Sequence, residues 1–87
     1  MNKLEIINEY LEGLDISSLS ADGFDDAIIG IHGEKIVYST TKCIEILITR
    51  DKMNKEDAEE YFDFNVEGAY VGENTPIFVN DFMFYGL

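Results

Sequence analysis

Leu4, Ile7, Leu11 and Leu14 recur at the three- and four-residue spacing of one helix face, and Ile6 and Tyr10 widen that stripe. Lys3, Glu5, Asn8, Glu9 and Glu12 fall elsewhere on the same wheel. The pattern predicts an amphipathic helix over about residues 2–12, with Gly13 as its C-terminal stop. Residues 15–26 are rich in Asp, Ser and Gly and read as a loop, anchored to the core by Leu19 and Phe24. Residues 27–32 and 35–39 are short β-branched runs separated by Gly33-Glu34, which is a hairpin signal. Strict alternation puts Ile29 and Ile31 on one face and Ile28, Gly30 and His32 on the other.

A second helix is expected from Lys42 to about Asp51, capped by Thr40 or Thr41. Cys43, Ile44, Ile46, Leu47 and Ile48 cover much of its circumference, so it is expected to be the most buried helix. Asn54 can cap a third, with Asp57 as its capping-box partner, running to about Ala69 and ended by Gly72. Its packing side is Ala58, Tyr61, Phe62, Val66 and Ala69, interrupted by Asn65. A buried amide there needs hydrogen-bond partners, which the 73–75 loop is placed to supply. Thr75-Pro76 favours an extended entry into a third strand, Ile77-Phe78-Val79. The order is α-β-β-α-α-β, a single small α+β domain over residues 1–87, with helices packed on a three-stranded, mostly antiparallel sheet.

The acidic residues change the picture most. Glu56, Glu59, Glu60, Asp63 and Glu67 gather within roughly 100° of arc on the third helix, opposite its packing side. Only Lys55, at the start, answers them. The chain carries 18 acids against 6 bases, a formal net charge of −12. Aromatics at 13% and hydrophobics at 46% supply a core in spite of that charge, which argues against disorder. Direct nucleic-acid binding needs clustered Lys and Arg, and anionic membranes need the same, so neither is expected as a partner. The partners implied are positively charged protein surfaces.

Few residues invite chemistry. Asp22, Asp25 and Asp26 crowd one loop, but their spacing is not that of a calcium loop, and a turn explains them. His32 and Cys43 stand alone as soft ligands, too few for zinc; His32 is expected half-buried and Cys43 in the core. A Cys–His nucleophilic pair lacks a third, orienting group. The glycines at Gly68 and Gly72 leave a helix rather than enter one, the wrong polarity for a phosphate cradle. No catalytic residue, metal site or cofactor is indicated, and an enzyme is the least supported class. Cys43 is the only cysteine, which excludes an intramolecular disulfide and fits a reducing, cytoplasmic setting. No apolar run is long enough to cross a membrane, and the first residues lack the apolar stretch of a signal peptide.

The tail from Phe82 to Leu87 is unusually apolar. Phe82, Phe84 and Tyr85 either fold back on the core or meet a partner, including a second copy of the chain.

The span from Asp22 to Phe78 resembles a group of short acidic proteins encoded by bacteriophages. The resemblance rests on Asp22-Gly23 with Asp25, on Ala27-Ile28 and Gly30, and on Tyr38, Lys42, Ile44 and Leu47. It is densest at residues 61–66, at Gly68-Ala69-Tyr70, and at Gly72-Glu73 with Thr75-Pro76 and Phe78. It implies a phage origin and action inside a bacterial host, and it carries over no functional residue.

Together these point to a small acidic protein that inhibits a host nucleic-acid-binding or defence protein, such as a CRISPR effector or restriction system, by charge mimicry. Glu56, Glu59, Glu60, Asp63 and Glu67 would meet the cations that hold phosphates, and Phe82, Phe84 and Tyr85 would add apolar anchoring. One alternative is a module that sequesters a small molecule or nucleotide signal in a pocket formed by Tyr38, Asn65, Glu73, Asn74 and Thr75. Another is a homo-oligomeric accessory protein driven by the tail.

Overall fold

A computed structural model describes residues 3–13, 20–21, 23–69 and 75–81. Its elements are α1 (Lys3–Gly13), a 3-10 turn (Asp25–Ala27), β1 (Ile28–His32), β2 (Lys35–Ser39), α2 (Thr40–Arg50), α3 (Lys55–Tyr61) and β3 (Ile77–Val79). After α3 the chain keeps turning through a π segment, Phe62–Val66, and a 3-10 turn, Glu67–Ala69. The α+β class and the three-stranded sheet agree with the sequence reading.

The sheet order is β1-β2-β3. β1 and β2 form the expected antiparallel hairpin, with Gly33 at φ 62 supplying the positive φ that its turn requires. β3 pairs in parallel with β2, Val37 opposite Ile77 and Ser39 opposite Val79, so the sheet is mixed. The expected alternation on β1 does not hold. Ile28 pairs with Tyr38 and Gly30 with Val37, which leaves Ile29 as an extra, bulged residue. A bulge resets the period-2 pattern by one position. Ile28 is therefore buried and Ile31 packs on the core, while Ile29 is exposed. His32, expected to be half-buried, is exposed at the hairpin end.

The helices follow their local chemistry. α2 begins earlier than the threonines imply: Ser39 is the cap, and its Oγ accepts from the Lys42 N–H at 3.1 Å. Thr41, Cys43 and Leu47 are its buried residues. α2 ends where Lys52 takes a left-handed conformation, φ 58, and the Asp51 N–H returns to the Leu47 carbonyl at 3.2 Å. Asn54 caps α3 as expected, its Oδ1 accepting from the Asp57 N–H at 2.8 Å.

The core joins Ile7 and Leu11 of α1, Ala21, Phe24 and Ala27 of the loop, Ile28, Ile36 and Tyr38 of the hairpin, and Cys43, Leu47, Ala58, Phe62 and Val66 of the later helices. Phe78 of β3 lies between two of its rings, 5.5 Å from Tyr38 and edge-on to Phe62 at 5.3 Å. That contact seats α3 on the sheet by its apolar side. Phe24 anchors the loop as expected, and Arg50 reinforces it by stacking 5.4 Å over the Phe24 ring and donating to the Gly23 carbonyl at 2.7 Å. Leu14, Leu19, Asp22 and the 70–74 and 82–87 segments lie outside the described residues.

Candidate functional site

The acidic face is built on α3 and its continuation. Ala58, Phe62 and Val66 are buried, and they fix which way the helix is rotated. Glu56, Glu59, Glu60, Asp63 and Glu67 are all exposed. Among the described residues, only Glu59 has a cationic partner, Lys55 Nζ at 4.0 Å, and both side chains are largely in solvent. An exposed pair of that kind contributes little and leaves the face negative. Glu59 and Asp63 also border a groove of ≈ 330 Å³ against the start of α2, with Lys55, Thr41, Ile44 and Asn80.

The π segment alters the other edge of the helix. The Phe62 N–H reaches both the Ala58 and Glu59 carbonyls, and the Glu67 N–H reaches Phe62, five residues back. A wider turn rotates each residue by less than the roughly 100° of an α-helix. Asn65, expected on the packing side, is thereby swung out and exposed. Tyr61, also expected to pack, is 41% exposed, and Phe64 is 75% exposed. The segment closes tightly: a Cβ on Gly68 would come within 3.1 Å of the Asp63 carbonyl oxygen.

Tyr61 and Phe64 are the residues that the sequence reading missed at this face. With Met53, Asp57, Glu60 and Asn65 they line a surface depression of ≈ 380 Å³. One signal was present. Phe64 follows Glu60 by four positions, the spacing that puts it beside the acids rather than opposite them.

The alternative pocket is not assembled around Tyr38. That residue is fully buried, and its hydroxyl accepts from the Ala21 N–H at 2.8 Å. Its side chain belongs to the core, whereas Asn65 faces solvent. Thr75 is half-buried, and Glu73 and Asn74 lie outside the described residues. The tail contacts expected of Phe82, Phe84 and Tyr85 lie outside them too.

Nothing at Cys43 favours nucleophilic chemistry. Burial first, and the negative Asp81 second, push its thiol up to about 12, so it is held neutral near pH 7. No group of three or more metal-ligating side chains occurs among the described residues, and no helix among them is long and apolar enough to cross a membrane. What the α3 face offers is fixed negative charge beside exposed aromatic surface. No known protein family, no curated protein and no solved structure matches the chain significantly.

Proposed function

We propose that this protein binds a basic surface on a nucleic-acid-binding or defence protein of a bacterial host and inhibits it by standing in for phosphates. The observation that carries the reading is the unopposed α3 face, where Glu56, Glu60, Asp63 and Glu67 are exposed and without a cationic partner among the described residues. Glu56 and Glu60, both within α3, are separated by about 6 Å along its axis, of the order of phosphate spacing along a nucleic-acid strand. A negative field on this scale speeds encounter with basic partners and repels acidic ones. An ordinary solvated helix face intersperses bases to stay near neutral, and this one does not. The resemblance to short acidic phage proteins supports a bacterial target and a cytoplasmic place of action.

The test is capture from nuclease-treated bacterial lysate, using the wild-type protein and a variant carrying Glu56→Lys, Glu60→Lys and Asp63→Lys. The expected result is a discrete basic protein that is lost with the triple reversal and displaced by added duplex DNA. A captured protein that tolerates the reversal, or that duplex DNA does not displace, would remove charge mimicry as the mechanism.

A further inference from the structure

We propose that the depression beside the acidic face is an arginine-binding site, and that the partner surface presents a guanidinium to it. This deepens the charge-mimicry reading and rests on it.

The depression combines the two features that separate arginine from other cations. Tyr61 and Phe64, three positions apart on the helix, put aromatic surface at it, and both are exposed. Asp57 and Glu60 supply carboxylates at the same place, and Met53 adds apolar surface. A planar guanidinium stacks on aromatic faces and donates in a fixed fork to carboxylates, whereas an ammonium is a compact, strongly hydrated point charge. The volume, ≈ 380 Å³, is ample for one such side chain.

The same recognition is already made within the chain. Arg50 stacks 5.4 Å over the Phe24 ring while its Nε and Nη2 reach the two carboxylate oxygens of Asp51 at 3.0 and 3.1 Å. At the α3 depression the rings and carboxylates are present, and charge complementarity assigns the occupant to the partner. An uncharged apolar partner would leave Asp57 and Glu60 desolvated without a counter-charge, which is costly. A phosphate-bearing partner would be repelled.

The test uses two synthetic peptides of equal length and charge, one with Arg and one with Lys at every basic position. Binding is measured by titration at low and at physiological salt. The arginine peptide is expected to bind more tightly by roughly two- to fivefold per engaged side chain, with the ratio preserved at the higher salt. Phe64→Ala and Phe64→Leu should both abolish that ratio, the second because it keeps apolar bulk and removes the π face. Phe64 is mostly in solvent, so both variants are expected to keep the wild-type melting temperature, which is checked alongside. Equal binding of the two peptides, lost in the Glu56/Glu60/Asp63 reversal, would overturn the arginine site and leave the acidic face standing. An arginine preference that survives Phe64→Leu would also overturn it. Absence of binding by either peptide would overturn both proposals.

Discussion

The carboxylate of Asp81 caps the first turn of α2, accepting from the Thr41 N–H at 3.2 Å across 40 residues of chain. It also accepts from the Ser39 and Thr41 hydroxyls. Ser39 Oγ itself accepts from the Lys42 N–H, so one buried cluster satisfies the helix start and ties the end of β3 to it.

Burial alone would raise the Asp81 pKa, but the hydrogen bonds from Ser39 and Thr41 outweigh it and hold the carboxyl below its ordinary value. A lowered folded-state pKa contributes stability that is fully present above the unfolded value. That stability is lost as pH falls through the folded one. Asp81→Ala is expected to cost about 1–2 kcal/mol at neutral pH in denaturant unfolding. Asp81→Asn should flatten the loss of stability of the wild type below about pH 4. A variant whose acid unfolding overlays the wild type would show that Asp81 does not carry this linkage.

Tyr38→Phe removes the acceptor of the buried Ala21 N–H while keeping the ring against Phe78. An unpaired buried donor costs about 1–3 kcal/mol, and this loss should appear as a lower midpoint with an unchanged denaturant slope. A midpoint within error of wild type would mean that water takes over the hydroxyl's place.

Lys52 is the described non-glycine residue with positive φ, and it lies just past the end of α2. Glycine adopts that backbone without steric cost but loses more entropy on folding, so Lys52→Gly should be stabilising by up to about 1 kcal/mol. Lys52→Val, β-branched at the same position, should destabilise. The ordering Gly above Lys above Val in thermal unfolding is the check.

The acidic face should cost the fold stability. Glu60, Asp63 and Glu67 lie close together, with Glu67 near the negative end of the helix dipole. Replacing them by Gln, Asn and Gln is expected to raise stability by about 0.5–1.5 kcal/mol at low salt, with the gain shrinking as salt is added. The same variant should lose the partner that the wild type captures. Gained stability with unchanged binding would separate the charge from the function.

The local pattern of the sequence determined the elements and their surfaces. Helical spacing and the Asn54 cap announced α3, Gly33 announced the hairpin, and the acids at 56, 59, 60, 63 and 67 came out on the exposed side. Such features depend on residues within a turn or two of each other, where spacing alone sets geometry. The tertiary structure decided what depends on contacts between distant residues. It placed β3 parallel to β2, packed Phe78 between Tyr38 and Phe62, and brought Asp81 to the start of α2. It also decided two local departures that periodicity misses. The bulge at Ile29 lets Ile28 and Ile31 both reach the core, and the π turn keeps Phe62 and Val66 buried while turning Asn65 out. At the bulge, burial of Ile28 and Ile31 outweighed the regular repeat, because burying a large side chain stabilises by about 1.5–3 kcal/mol. The depression lined by Tyr61 and Phe64 beside the acidic face lies at the π turn.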